Sequence, residues 1–505
     1  MPYLRSSLLF GLSLFALATP APAVPSTPGS LYIRARAAEA AGDVREASAG
    51  FAALLAEDPG NATIAMRAYR QGLASGDIEL ARRAARQLEA QQSLPSDARV
   101  LLALVQIKAR DWSKATDATE KLSQDRVFGF LAPFLRAWIA VGSGKGDAVA
   151  LVEGARNLPL ASPYYAEQRA LVLLALGRKQ EAVNALGPQA AAQLPSSVKG
   201  PDQGLSPVLV HLATDFARQQ YAPVGMIVAR MATYVAPDNA AGWLVLAELL
   251  HRMQRPDLAL AALDHIAAGD PLAPDARALR IALLNDSGKQ DEALAVALAA
   301  TKRADAGSDD WGRVGDLYLV LLRPADAAAA YGKALALAET AHAPNETLWP
   351  ILLQQGGALD LAGDWSGAKA ALARAYAMAP DQPTVLNQVG YSQIEHRENV
   401  DHASAMIAQA SKLRPDDPAI TDSLGWVLHL QGKTSQAVPL LERAAAGDPG
   451  EPTINEHLGD AYWSSGRLYE ARYAWRAALL TANDKDKARL NAKIDLGLDK
   501  ATAAR

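Results

Sequence analysis

The chain has 505 residues, half of them hydrophobic and 21% charged, and its formal net charge is −4 at neutral pH. This balance is typical of a folded, soluble protein and disfavours a disordered one. Without a basic excess the chain has little with which to neutralise phosphates, so the composition argues against a nucleic-acid partner. The sequence contains no cysteine, which excludes disulfides, thiolate metal sites, thiol nucleophiles and lipid-modified cysteines.

The first 23 residues have the layout of a secretory signal peptide. Arg5 supplies a basic start, the apolar stretch "SSLLFGLSLFALA" follows, and "APA" ends at Ala23 with small residues before the cut. We therefore expect cleavage after Ala23; an uncleaved membrane anchor is the alternative. A lipoprotein is not expected because no cysteine follows the cut, and no later stretch is apolar and long enough to span a membrane. The alanine- and arginine-rich helices suggest a GC-rich bacterium, so we predict the periplasm, with full secretion left open.

Small residues recur along the chain at intervals of 34 or 35 residues. Glycines lie at Gly356, Gly390, Gly425 and Gly459, and alanines keep the same spacing at Ala368, Ala403, Ala437 and Ala471. Two segments show the full pattern, one with Trp311, Val314, Gly315, Tyr318, Ala327 and Tyr331, and one with Leu424, Gly425, Leu428, Ala437, Leu441, Ala444 and Pro449. These positions resemble the W-x2-L-G-x2-Y and A-x3-F signature of the tetratricopeptide repeat. The resemblance implies an all-α solenoid, a right-handed superhelix of stacked helix-turn-helix units.

Continuing the same register towards the N-terminus predicts about thirteen repeats. Their predicted starts lie near Pro28, Ala62, Ser96, Phe130, Pro163, Ser206, Ala240, Pro274, Ser308, Trp349, Pro383, Pro418 and Pro452. The Pro/Gly/Ser-rich segment 188–205 breaks the period and predicts a hinge, while residues 338–348 lengthen a helix or a loop. The predicted organisation is a signal peptide (1–23), an N-terminal array (24–187), the hinge (188–205), a C-terminal array (206–483), and a capping helix with a tail (484–505).

The repeat also predicts how the chain turns. Glycines in the turn inside each unit are expected to end the first helix with positive φ, at Gly42, Gly76, Gly288, Gly363, Gly432 and Gly466. Gly425 and Ala437 are expected where the two helices of a unit cross, because a larger side chain would hold them apart. Prolines should stop the second helix, at Pro271, Pro380, Pro415 and Pro449.

Several residues that could suggest catalysis have simpler interpretations. The stretch "GSGKG" (142–146) lacks the Ser or Thr that follows the lysine of a phosphate-binding loop, so we interpret it as a turn between helices. His396 and His402 do not share a helix face, which favours a surface loop over a metal site. Ser423 lacks the strand-to-helix turn of a hydrolase nucleophile, and we interpret His429 and His457 as surface or groove residues. We predict no catalytic residue, no metal ligand, no cofactor and no enzyme activity.

The resemblance implies a binding surface on the first helix of each repeat, which lines the concave face of such arrays. In the last three units the corresponding candidates for partner binding are Asn387, Tyr391, Asp422, Trp426, Glu456, Asp460 and Trp463, with Ile394 and His429 beside them. This aromatic and acidic stripe predicts a protein partner segment with apolar anchors and basic residues; a solvated acidic face is the alternative. A chaperone-type carboxylate clamp needs lysine and asparagine there, and only Asn387 is present.

The last hundred residues or so resemble the C-terminal end of bacterial envelope tetratricopeptide proteins. These include outer-membrane lipoproteins that serve as adaptors of periplasmic C-terminal-processing proteases, so the resemblance implies a scaffold that assembles a protease and delivers substrates. The missing lipid-attachment cysteine departs from those lipoproteins. A module of exopolysaccharide assembly or export, whose aromatic groove would stack on sugars, is the alternative function.

Overall fold

In the computed structural model, residues 27–192 and 194–498 are described, and all regular structure within them is helical. The predicted signal peptide lies outside these residues. The chain divides into two compact units, Met1–Leu283 and Leu284–Arg505. In the described part of the chain, no helix combines the length and the apolar character needed to cross a membrane.

Unit 1 contains fifteen complete helices in its described residues and the greater part of a sixteenth. They are α1 (Pro28–Ala41), α2 (Val44–Glu57), α3 (Ala62–Ser75), α4 (Ile78–Ala90), α5 (Ser96–Lys108), α6 (Trp112–Ser123), α7 (Ala132–Ser143), α8 (Ala148–Glu153), α9 (Ser162–Ala175), α10 (Lys179–Leu186), α11 (Pro188–Ala191), α12 (Pro201–Arg218), α13 (Ala222–Val235), α14 (Ala240–Arg252), α15 (Pro256–Leu263) and α16 (Ala273–Asp286), with a 3-10 turn at Gly129–Leu131.

Unit 2 continues the alternation of first and second helices with longer, more regular elements. They are α17 (Gln290–Ala300), α18 (Ser308–Val320), α19 (Pro324–Thr340), α20 (Asn345–Leu361), α21 (Trp365–Met378), α22 (Pro383–Glu395), α23 (Val400–Leu413), α24 (Pro418–Leu430), α25 (Thr434–Gly447), α26 (Pro452–Ser464), α27 (Leu468–Thr481) and α28 (Asp484–Leu496).

Most first helices begin at the predicted repeat starts or within two residues of them, and two begin earlier. Helix α12 begins at Pro201 instead of Ser206, and α20 begins at Asn345 instead of Trp349. The extra residues before Trp349 therefore lengthen a helix, since α19 and α20 each have 17 residues. Helix α15 ends at Leu263, well before the predicted stop at Pro271, whereas Pro380, Pro415 and Pro449 follow the ends of their helices closely.

Local chemistry fixes the turn between the two helices of a repeat. All six predicted turn glycines have positive φ, between 74° and 88°. An aspartate follows three of them and caps the second helix: Asp43, Asp77 and Asp364 accept hydrogen bonds from backbone N–H groups of the next turn. A left-handed glycine and an N-cap acid together reverse the chain within a few residues.

The segment predicted as a hinge is more structured than expected. Pro188–Ala191 forms one helical turn, residues 194–200 contain no helix, and residues 201–205 belong to α12. Helix α12 packs against α5, α7, α9, α13 and α14, so the segment lies within unit 1. The interruption in the sequence period thus reflects a chain that leaves the repeat register to enter the interior of this unit.

Unit 1 closes on itself around one continuous core that extends from Leu31 to Leu283. Helix α13 contacts α3 and α5, and three basic side chains join distant helix ends to one another. Arg230 donates to the carbonyl of Ala74, Arg255 donates to the carbonyl of Gly42, and Lys108 donates to the carbonyls at the end of α13. Helices α12 and α13 therefore cover the inner surface of the N-terminal repeats.

Unit 2 has a different core, made of separate clusters that follow one another along the chain. Each first helix crosses its second helix at a small residue, as predicted for Gly425 and Ala437. A Cβ atom at Gly425 would lie 2.7 Å from Leu441 Cγ, and one at Gly390 would lie 2.9 Å from the Ala403 carbonyl oxygen. Stability in such an array comes from the stacking of neighbouring units.

The close crossing of α22 and α23 at Gly390 predicts that a side chain at this position lowers the stability of the fold. We expect Gly390→Val to lower the free energy of unfolding by about 1–3 kcal/mol, because the new side chain would press against backbone. The matched control is Gly312→Val in α18, where a Cβ would have no neighbour within 4 Å. Urea unfolding followed by circular dichroism compares the two; equal transitions would contradict the assigned crossing.

Candidate protein-binding groove

The inner face of unit 2 contains an open groove with a volume of about 900 Å3. It is lined by the first helices α18, α20, α22 and α24, and its walls combine leucines with glutamines and carboxylates. Leu361 and Leu430 are 72% and 54% exposed at its edges. Exposed leucines beside hydrogen-bonding side chains are the features that a groove for a peptide segment requires.

An aromatic and imidazole stack closes the C-terminal end of this groove. The rings of Trp426 and His457 are parallel within 10°, with centroids 4.0 Å apart. His429 lies on Trp426 at 5.2 Å, and Tyr391 approaches His457 at 6.4 Å. The indole N–H of Trp426 donates to Glu395 at 3.2 Å. The stack joins α22, α24 and α26, so three consecutive repeats position one side of the groove.

The imidazole of His457 in this stack also contacts a buried carboxylate. His457 Nδ1 lies 2.9 Å from Asp422 Oδ2, and both side chains are buried. Burial lowers the pKa of His457, but the charge and hydrogen bond of Asp422, with the more distant Asp460 and Glu395, outweigh it and raise the pKa above 6.5. Burial also raises the pKa of Glu395. The groove therefore ends at a carboxyl group that is costly to ionise and an imidazole that is readily protonated.

A second stack of an indole on an imidazole lies about two repeats earlier. Trp365 and His396 are parallel within 12° at 3.9 Å, and His396 Nε2 lies 2.7 Å from Asp360 on the groove wall. The indole N–H of Trp365 donates to Glu398. His396, which the sequence placed on a surface loop, thus connects neighbouring repeats. In the ranges 27–192 and 194–498, no group of side chains has the arrangement of a metal site.

The structure separates the seven predicted partner-binding residues into two groups. Asn387, Tyr391 and Trp463 are half-buried, whereas Asp422, Trp426, Glu456 and Asp460 are buried. The interpretation of His457 as a surface or groove residue is wrong, because its ring is only 1% exposed between Trp426 and Asp422. The next repeat, or α28 in the case of the last repeat, covers these side chains, and the position of a residue within one repeat does not show that it will be covered.

The sequence prediction did not include the exposed leucines. Val320, Leu361 and Leu430 occupy the last turn of the first helices α18, α20 and α24 and are all more than half exposed. Their common place in the repeat was visible in the sequence and could have identified them. Leu361 and Leu430 line the groove directly. They are better candidates for contact with a partner than Trp426, which is 3% exposed.

Helix α28 lies against the other acidic residues of the predicted stripe. Lys493 donates to Glu456 at 2.5 Å and to both Asp460 oxygens at 2.8 Å, and Arg489 forms an ion pair with Glu456. A Cβ atom at Gly497 would collide with the Trp463 ring. Helix α28 and Gly497, which follows it, therefore contact three of the seven predicted binding residues.

The residues that suggested catalysis have structural roles. In the stretch 142–146, the first two residues end α7 and residues 144–146 belong to the turn before α8. Ser423 donates its hydroxyl to the carbonyl of Ala419 in the preceding helical turn, an arrangement common in helices. His429 lies against Trp426 and within 3.2 Å of the Thr434 hydroxyl. None of these contacts resembles the pairing of a nucleophile with its base.

Stacked helical hairpins with an open inner groove define a repeat scaffold, and comparison with known proteins gives the type of repeat. The sequence model of the tetratricopeptide repeat matches residues 390–452 and 430–487, so the repeats in this part of unit 2 are tetratricopeptide repeats. The fold is an all-α tetratricopeptide solenoid. None of the curated protein sequences compared with the chain matches it.

Solved structures with a similar fold have low sequence identity to this chain. The Cut9–Hcn1 hetero-tetramer of the APC/C shares 16% identity over 94% of this chain and 90% of that chain, with a TM-score of 0.39. Yeast Tom70 shares 14% identity over 93% and 95%, with a TM-score of 0.38. YrrB, described as a TPR protein with an unusual peptide-binding site, shares 18% over 39% and 97%, with a TM-score of 0.26.

The Asp422–His457 contact predicts how the imidazole titrates. We expect Asp422→Asn to lower the His457 pKa, because burial then opposes protonation with less compensation from a neighbouring carboxylate. A raised folded-state pKa means that this contact stabilises the fold below about pH 6.5 and that the contribution is lost as the pH rises through the folded-state value. An NMR titration of the imidazole protons measures the shift.

Asp401→Asn serves as the control, because Asp401 is an exposed carboxylate on the neighbouring α23. A His457 titration that is the same in both variants would show that Asp422 does not hold the proton.

Proposed function

We propose that this protein is a non-catalytic scaffold that binds a segment of a partner protein in the inner groove of unit 2. The observation that carries the proposal is the open 900 Å3 groove, with exposed Leu361 and Leu430, in an array of tetratricopeptide type. Leucine anchors supply apolar contact area, and the neighbouring glutamines and carboxylates supply hydrogen bonds that fix the register of a bound chain.

The contrast between the two units supports the choice of unit 2. In unit 1, α12 and α13 contact the first helices α3, α5 and α7, so its inner surface is part of a protein core. The inner surface of unit 2 remains accessible at the groove. The inner face of unit 1 is thus filled by its own helices, whereas the inner face of unit 2 is open to a partner segment.

Two finer parts of the proposal rest on the sequence. The signal-like residues 1–23 support export to the periplasm, and the resemblance of the last hundred residues or so to envelope adaptors supports a role beside a C-terminal-processing protease. In that role the groove would hold the protease or its substrate, and the scaffold would raise their local concentration.

A role in exopolysaccharide assembly fits the groove less well. Sugar binding by aromatic residues uses exposed ring faces, and Trp426 and His457 cover each other's faces in the stack. The accessible apolar groups, Leu361 and Leu430, have no flat face to offer a sugar ring. This arrangement favours a protein segment.

The groove can be tested by photo-crosslinking from its edge. A photo-reactive residue at Leu430 is expected to crosslink a partner from an envelope extract, and Leu361→Ser in the same chain is expected to abolish that crosslink through loss of an exposed anchor. The control places the same residue at Leu413, which is 51% exposed on α23 and does not line the groove. Equal crosslinks from both positions would contradict groove binding.

The adaptor version makes a separate prediction. Addition of the purified protein to a processing protease from the same organism should accelerate cleavage of its substrates severalfold, because the scaffold brings the two together. Leu430→Ser should remove the acceleration, and Leu413→Ser should retain it. No acceleration by the unmodified protein with any such protease would refute the adaptor role and leave the scaffold itself standing.

A further inference from the structure

The C-terminal helix occupies a charged seat that continues the groove. The seat consists of Glu456, Asp460 and Trp463 on α26, and α28 fills it with Leu490 and Lys493, which are 1% and 0% exposed. A smaller cavity of about 370 Å3 opens beside α28, and Tyr391 lines both this cavity and the open groove. The stack at the end of the groove is therefore the boundary between the groove and the seat of α28.

The side chains that α28 places in the seat are of the type that an acidic and aromatic surface is expected to bind. Its buried side chains are an apolar anchor and a lysine three residues later, which is one helical turn. Lys493 makes three hydrogen bonds to two carboxylates, and Arg489 adds a second cation beside Glu456. Ile494 and Leu498 are partly buried against the same cluster as the apolar anchor, whereas Leu496 is largely exposed and the remaining face of the helix is mostly charged. The seat thus accepts a basic amphipathic helix.

The net free energy that holds α28 in its seat is small enough for another helix to replace it. Burial lowers the pKa of Lys493 to about 8 in spite of its carboxylate partners, which shows the cost of taking the ammonium out of water. A buried ion pair contributes little net stability when complete, although removal of one partner costs several kcal/mol. Only Leu490 adds a fully buried apolar side chain from the middle of the helix. A different helix that offers the same two groups could therefore compete.

We propose that α28 is an intramolecular stand-in for the partner, and that a basic amphipathic helix of the partner protein displaces it from Glu456, Asp460 and Trp463. This inference rests on the proposed scaffold function and adds the chemistry of the partner. Two residues, Ala482 and Asn483, join α27 to α28, so α28 has a high effective concentration at its seat. Displacement then requires a partner that also binds the groove, which gives selectivity for ligands that occupy both places.

A separate peptide with the sequence of α28 can test whether the seat binds such a helix, even though the partner is not known. The probe is a fluorescent peptide of residues 482–498, and the proteins are the unmodified chain, Lys493→Glu and Lys487→Glu. We expect the peptide to bind Lys493→Glu at least about tenfold more tightly than the unmodified chain, because charge reversal drives the resident helix out. Lys487→Glu, which alters an exposed lysine paired with Asp484, should behave like the unmodified chain.

A second variant and a control peptide distinguish displacement of α28 from misfolding of Lys493→Glu. Leu490→Asp expels α28 by another route and should also bind the unmodified peptide, while a peptide that carries Lys493→Met should bind neither variant. Equal peptide binding by all proteins, or loss of stability without any gain of binding, would overturn the proposal and leave α28 as a cap. Exchange of α28 between two copies, seen as a dimer in light scattering, would also overturn it. Crosslinking from Leu430 reports on the groove independently of these results.

Discussion

The array in unit 2 depends on the close approach of two helices at a glycine. Gly390 faces Ile407, and Gly425 faces Leu441, at distances that leave no room for a Cβ atom. This contact sets the angle between the helices of each unit, and the angle determines which face of the first helix turns inward. The inner face then carries residues at regular intervals, so groove, stack and charged seat all follow from one packing constraint.

The two units use their inner faces differently, and the contrast has a physical origin. In unit 1 the chain leaves the repeat period after α10 and returns as α12 and α13, which bury apolar side chains against the earlier repeats. In unit 2 the repeats continue without such an insertion, and polar contacts such as Asp422–His457 and Trp426–Glu395 join neighbouring first helices. A face joined by polar contacts can remain accessible to water, whereas an apolar inner face would have to be covered.

The sequence predicted the features that depend on local spacing. The 34-residue period placed most helix starts and the turn glycines, because each follows from residues near it in the chain. It did not predict that Trp426 and His457 cover one another, or that Lys493 would reach Glu456, since these contacts join separate helices. The acidic and aromatic stripe was identified from position alone, and position does not show which residues the next helix covers.

The ionisable groups of the stripe suggest a rule for what the inner face can bind. Glu456 and Asp460 contact a lysine, Asp422 contacts an imidazole, and Glu395 accepts from an indole N–H and has a raised pKa. In each case burial of a carboxylate is accompanied by a cation, a hydrogen-bond donor or a tendency to protonate. A segment that covers more of this face must therefore supply donors or positive charge of its own. An acidic segment would leave these carboxylates facing further carboxylates, so the same residues that hold α28 also exclude such partners.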